Sequence, residues 1–254
     1  MMAAVEVLAD QLVQARQSRS FLVFGKDVCC RSAAEAYLVQ AAVVQRLGAG
    51  VAGWKVGIGP DNVPMAAPVL ESDLICDAGA FTLSGDLSSV KAEAELALRL
   101  GQDLPRRPGA PYTTADILEA VSDIFCGIEL VNTRFRNDSE VDFATRLADN
   151  FAHGAYIRGS GSTTDGLDLA RLRCVVWRNG TIVCDHIGGH PLGHPLIPVV
   201  AWANAQCDRL GGLRAGQFIT TGTLIDPFAI NEAASLRVEL EGTGAASVSV
   251  SIAG

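Results

Sequence analysis

The spacing of apolar residues changes character along the chain. Residues 3–16 carry Val5, Leu8, Leu12 and Val13 at helical spacing, which predicts a first helix. Ser32 followed by Glu35 has the form of a capping box, residues 33–47 keep a helical apolar stripe, and Gly48 stands where a left-handed cap closes a helix. From Val51 onward, short apolar runs alternate with Gly, Pro, Asp and Asn, the pattern of strands and turns interrupted by a few helices. One such helix starts at Thr113 and Asp116 and is expected to reach about Ile124. Another follows Pro195 through Val199, Trp202 and Ala205 to Leu210, with Gly211 and Gly212 as its stop. Asn179-Gly180 marks a hairpin between 174–178 and 181–184, and segments 236–240 and 247–252 alternate as strands. The chain thus divides into an N-terminal helical appendage, 1–50, and a β-rich domain, 51–254.

The segment 90–100, VKAEAELALRL, is built of strong helix formers, yet its pattern is that of a strand. With period two, Ala92, Ala94, Leu96, Leu98 and Leu100 fall on one face, and Glu93, Glu95, Ala97 and Arg99 on the other. The distinction decides the chemistry. Two residues apart on a helix, side chains diverge by roughly 160°; on a strand they share a face about 7 Å apart. Only the strand lets the carboxylates of Glu93 and Glu95 meet one hard cation, which prefers oxygen ligands. Glu129 interrupts the apolar run of residues 128–131, where a buried carboxylate requires a partner.

Composition narrows the partners. A net charge of −8 without a Lys/Arg cluster excludes the basic face that nucleic acid needs. No apolar run reaches the roughly 18 residues of a membrane span. Glu6 and Asp10 break the layout of a secretory leader, so a soluble, cytoplasmic protein is expected. Seven scattered cysteines without a C-x-x-C pair fit reduced thiols. His186, His190 and His194 are spaced by four, but Gly188, Gly189, Pro191 and Gly193 forbid the helix that would align them on zinc. No G-x-G-x-x-G follows a strand, which sets a nucleotide cofactor aside.

Taken in order, GWKVG at 53–57, KAEAE at 91–95, IELV at 128–131 with Thr133-Arg134, ADN at 148–150, LGHPL at 192–196 with Ala201-Trp202, and TGTL at 221–224 resemble the 2-keto-4-pentenoate hydratase and 4-oxalocrotonate decarboxylase branch of the fumarylacetoacetate hydrolase superfamily. The resemblance implies an α+β fold, a mixed β-strand roll or sandwich with flanking helices, and an oligomer. It also implies a divalent ion, Mg²⁺ or Mn²⁺, held by Glu93, Glu95 and Glu129, with Lys55 as the active-site lysine. Asp149, Asn150, Gly222 and Thr223 fall on substrate-contacting positions. Where the family commonly has a serine two residues after A-D-N, this chain has Ala152, leaving His153 as a candidate replacement. The family's acidic residue after the lysine has two candidates, Glu71 and Asp73, and Gln217 replaces an aspartate in a turn.

The activity so implied is addition of water to a 2-hydroxy-2,4-dienoate, or its 2-keto tautomer, in aromatic-compound catabolism. The alternatives are a 4-oxalocrotonate-type decarboxylation, C–C hydrolysis, and a non-catalytic oligomeric partner of a related decarboxylase or hydratase. Hydrolases of the superfamily use a His/Glu pair to activate water, for which the sequence offers no evident counterpart.

Overall fold

The computed structural model describes residues 2–25, 28–83, 90–136 and 138–252. The chain runs through α1 (Met2–Ser18), α2 (Ala33–Leu47), β1 (Val51–Ile58), β2 (Pro64–Leu70), β3 (Leu74–Cys76), β4 (Gly79–Leu83), β5 (Lys91–Leu100), α3 (Thr114–Ala120), β6 (Val121–Val131), α4 (Phe143–Ala148), β7 (His153–Ser162), β8 (Arg173–Arg178) and β9 (Thr181–Ile187). It ends with α5 (Leu196–Ala205), β10 (Phe218–Thr223), β11 (Phe228–Ala229), β12 (Ala234–Leu240) and β13 (Gly244–Ile252).

Both N-terminal helices form where the apolar stripe places them. At α2, the Ser32 hydroxyl accepts from Glu35 N, but the Glu35 carboxylate accepts from Arg31 N rather than Ser32 N, so only half of the expected box forms. Gly48 closes the helix at φ 60°. Val5, Leu8 and Leu12 of α1 and Tyr37, Val39 and Val43 of α2 join the same buried cluster as Trp54, Leu96 and Ile128.

An eight-stranded sheet has the order β2-β1-β10-β5-β6-β7-β3, with β11 against the start of β5; a five-stranded sheet has the order β4-β13-β12-β8-β9. The fold is therefore the expected α+β roll of mixed strands: β1–β10, β3–β7 and β4–β13 pair in parallel and the other neighbours antiparallel. Alternation along each strand divides the large sheet into two faces. Trp54 packs its ring 6.2 Å from Trp202 of α5, and Cys126 reaches Val238 of the small sheet, so this face is covered by helix and sheet. The opposite face carries a smaller apolar cluster of Val69, Ala97, Phe125, Tyr156 and Phe218, and beside it the polar residues described below.

Two helix ends differ from the sequence pattern. α3 stops at Ala120 instead of Ile124, because Val121 to Val131 pair with β5 from Leu100↔Val121 to Lys91↔Val131; β-branched residues in a full ladder outweigh local helical continuation. α5 stops at Ala205 instead of Leu210: Gln206 takes the left-handed conformation (φ 35°), and its amide donates to the carbonyls of Ala203 and Leu104. Gly211 and Gly212 belong to a later turn, which Asp208 holds by accepting from Gly212 N. The Asn179-Gly180 hairpin forms as expected, with both residues at positive φ (51° and 78°).

Candidate metal centre

The strand reading of 90–100 holds: β5 and β6 pair with Glu93 opposite Glu129 and Glu95 opposite Gly127. All three glutamates thus share one face, and each offers an oxygen within 4.8 Å of the others'. Glu95 and Glu129 are buried and Glu93 half-buried. Compensation for three carboxylates at this density is partial: the charge of Lys91 acts on Glu93, and Lys55 touches the group. Its Nζ donates to Glu129 Oε1 at 2.5 Å, and to the Phe151 carbonyl at 3.4 Å. Glu129 Oε1 also accepts from His153 Nδ1 at 2.9 Å, whereas Glu129 Oε2 is buried with no hydrogen-bond partner among the described residues. Glu95 Oε2 accepts from the Thr220 hydroxyl.

The charges respond accordingly. Burial, followed by the charge of Glu129, pushes Glu93 up to about 7. The same causes raise Glu95 well above the carboxylate range. Burial would also raise Glu129, but Lys55 and the His153 hydrogen bond outweigh it and hold that carboxyl at about 2. Burial alone would lower Lys55; Glu129 and Glu93 keep its proton on. The face therefore holds one settled ion pair beside two carboxyls pushed above their ordinary values for want of positive charge. A divalent cation supplies that charge, and its hard-oxygen preference suits the donor set. The orphaned Glu129 Oε2 fits such an ion, because a buried lone pair without a partner costs about 1–3 kcal/mol.

Around the glutamates, β7 opens with His153, whose ring is fully buried. Burial lowers its pKa, so the neutral ring donates from Nδ1 to Glu129 and leaves a lone pair on Nε2. That Nε2 is unpartnered and lies 4.0 Å from Asp73 Oδ2. Between the two acidic candidates, Asp73 is the one beside this ring; Glu71 sits against Gly50. His153 is accordingly turned toward Glu129 and Asp73, and with Glu129 it forms a His/Glu pair where none was evident from the sequence, because the two residues meet only through the pairing of β6 with β7.

Before His153, residues Asn150, Phe151 and Ala152 are all left-handed, at φ 52°, 49° and 60°, a conformation costing about 1–2 kcal/mol per residue. Arg134 holds this turn. Its guanidinium donates to the carbonyls of Asp149, Asn132 and His153, while Asp149's carboxylate accepts from Arg134 Nε and from Arg134 N at 3.0 Å. The side chain of Asp149 is thus engaged with Arg134. Asn150 donates to the Pro68 carbonyl, leaving its own Oδ1 buried and unpartnered. A cavity of about 180 Å³ lies here, lined by Lys91, Glu93, Thr133, Asp149, Phe151 and Ala152 among others.

On β10, Thr223 stands opposite Glu95 after a register shift, and its hydroxyl donates to the Ile225 carbonyl at 2.8 Å. Gly222 precedes it at φ 97°, which only glycine adopts readily. Thr220 is a site residue that the sequence reading misses, although its place two residues before Gly222, in a threonine-rich strand, is a signal that marks it. Gln217 does organise a turn, accepting from Arg214 N and Trp54 Nε1. The three spaced histidines are separately engaged: His186 with the Leu224 carbonyl, His190 with the Thr221 carbonyl, and His194 accepting from Leu196 N at the start of α5.

Comparison with known proteins places the chain in a family and matches its fold. The chain is 32% identical over 253 residues to a 2-keto-4-pentenoate hydratase of Paraburkholderia xenovorans (strain LB400), covering 94% of this chain and 92% of that one. It is 30% identical over 158 residues to a 4-oxalocrotonate decarboxylase of Pseudomonas putida, covering 62% and 58%. The solved structure of 4-oxalocrotonate decarboxylase from Pseudomonas putida G7, complexed with magnesium and adipate, superposes with a TM-score of 0.83 at 24% identity, covering 98% of each chain. The profile described as Fumarylacetoacetate (FAA) hydrolase C-terminal matches residues 64–251, and the chain belongs to that family.

Proposed function

We propose that the protein is a divalent-metal-dependent hydratase that adds water to a 2-hydroxy-2,4-dienoate, or its 2-keto tautomer, giving a 4-hydroxy-2-keto acid. The observation that carries this reading is the trio of glutamates with its unpartnered Glu129 Oε2 beside a charged Lys55. Similarity over 94% of the chain to a protein named 2-keto-4-pentenoate hydratase supports the reaction class. The magnesium in the decarboxylase structure supports Mg²⁺ or Mn²⁺ as the ion.

Glu93, Glu95 and Glu129 would hold the ion, which supplies Lewis acidity toward a 2-oxo-carboxylate. Lys55 contributes positive charge where an oxyanion develops. His153, neutral and with a free Nε2 lone pair, can accept a proton there and pass it to a carbon or oxygen of the substrate. Asn150, with its free Oδ1, Gly222 and Thr223 would shape the substrate's surroundings, and Asp149 would act there through the backbone it holds with Arg134.

A 4-oxalocrotonate-type decarboxylation is the second reading, favoured by the relative of that name. Both reactions place negative charge on the same oxo group, so one set of residues serves either. Incubation with 2-hydroxypenta-2,4-dienoate and with 2-oxohex-3-enedioate, with and without Mg²⁺ or Mn²⁺, separates them. Metal-dependent loss of diene absorbance without CO₂ supports the hydratase; CO₂ release from the dioate supports the decarboxylase. Activity that arises only with a partner protein would make the chain an accessory subunit.

Self-association is part of the proposal. β9 is an edge strand of the small sheet and exposes Ile182, Val183 and Ile187, a row that invites pairing with another strand. None of the seven cysteines is joined in a disulfide, which favours a reducing compartment such as the cytoplasm.

A further inference from the structure

The last turn of α1, the end of β4 and the start of β7 enclose a second cavity, of about 250 Å³. Three arginines line it, Arg16, Arg19 and Arg134, against one carboxylate, Asp73. Arg134 has its donors engaged by Asp149 and by backbone carbonyls. Arg16 does not. Its Nη1 donates to Asp73 Oδ2 at 3.2 Å, but Nη2 is buried with no partner among the described residues, on a side chain only 12% exposed. Burial, then the charge of Arg134, lowers Arg16 to about 10, as expected for a guanidinium whose charge is incompletely matched. On the same wall Asn132 Oδ1 is also buried and unpartnered; rotation of that amide presents its NH₂ instead.

We propose that this cavity is an anion site for a carboxylate group, with Arg16 Nη2, Arg19 and the Asn132 amide as donors. A buried cation with an unused N–H, on a side chain that lines a polar cavity, is stabilised most by an anion. The class is a carboxylate rather than a phosphate: the unused donors are few, and Asp73, on the same wall, disfavours a second negative charge. Thr133 lines both this cavity and the one beside Glu93, and Asp73 links Arg16 to His153. The group bound is therefore either the far carboxylate of a dicarboxylic substrate, which rests on the function proposed above, or a separate carboxylic acid, which does not.

The test begins with metal-free protein in EDTA, titrated calorimetrically with succinate, acetate and inorganic phosphate. Succinate and acetate are expected to bind, phosphate more weakly, and added NaCl to weaken all three. Arg19→Ala, at an exposed position, and Arg16→Gln are each expected to weaken succinate at least tenfold, with Arg16→Lys intermediate. Should Arg16→Gln not fold, Arg19→Ala carries the test. Absence of carboxylate binding, phosphate binding more tightly, or affinities unchanged in Arg19→Ala would overturn the proposal. The source follows from kinetics: a tenfold rise in KM for 2-oxohex-3-enedioate but not for 2-hydroxypenta-2,4-dienoate in Arg19→Ala assigns the substrate's tail. Lost succinate binding with both KM values unchanged assigns a separate acid. Because binding is read without metal or turnover, it stands even if the proposed reaction is wrong.

Discussion

Glu93 and Glu129 stand directly opposite each other across β5 and β6, yet their carboxyls are driven in opposite directions. Glu93 is pushed up to about 7 and Glu129 held down at about 2. The difference lies in Lys55 and His153, which both bond Glu129 Oε1. One glutamate is thus ready as an anion while its neighbour waits for positive charge.

A pH dependence follows for the metal. Glu93 must lose its proton to ligate, so apparent affinity for Mn²⁺ should fall as pH drops below about 7, by about tenfold per pH unit for each proton displaced. Calorimetric titrations between about pH 6 and about pH 8 check this. A pH-independent affinity would mean that Glu93 is not a ligand.

The metal-free protein should show the converse in its stability. The Glu93 carboxyl lies above its usual 4.5 in the folded state, so the native protein binds the extra proton, and stability falls as pH rises from about 4.5 through about 7. Glu129 contributes the opposite slope, its stabilisation present above 4.5 and lost as pH falls toward 2. Thermal melts in EDTA should show the decline between about pH 4.5 and about pH 7, and saturating Mn²⁺ should remove it.

Lys55→Ala is expected to lower turnover by about 100-fold or more while leaving Mn²⁺ affinity intact, since the substitution removes a competing cation rather than a ligand. Steady-state kinetics and metal titration on the same preparation separate the two effects. Unchanged turnover would remove Lys55 from the chemistry.

Arg134→Ala strips the buried Asp149 of its partner and releases the left-handed turn that precedes His153. Breaking a buried pair from one side costs about 3–5 kcal/mol, which a urea midpoint measures. Replacing both partners, as Arg134→Met with Asp149→Leu, should recover part of that loss.

Val183→Lys with Ile187→Lys places charge on the exposed face of edge strand β9. If this edge carries self-association, sedimentation will show smaller species with an unchanged circular dichroism spectrum. An unaltered distribution would locate the contact elsewhere.

How much of this was legible in the sequence depended on the range of the interaction. Period-two alternation in 90–100 overruled helix propensity and placed Glu93 and Glu95 on one face, and an acid in an apolar run marked Glu129. Caps at Ser32 and Gly48 act within a few residues and could be read, whereas α3 ended early because its continuation pairs with β5. The Arg134–Asp149 clamp, the turn of His153 toward Glu129 and the approach of Asp73 join residues far apart in the chain or in unusual backbone conformations. No local pattern encodes such contacts.

Calorimetric titration of Mn²⁺ into the wild-type protein and into Glu93→Gln/Glu95→Gln tests the metal centre most directly. The wild type is expected to bind one ion per chain, and the double variant, folded by circular dichroism, to lose at least about 100-fold in affinity. Equal binding by the two proteins would contradict the assignment of these glutamates.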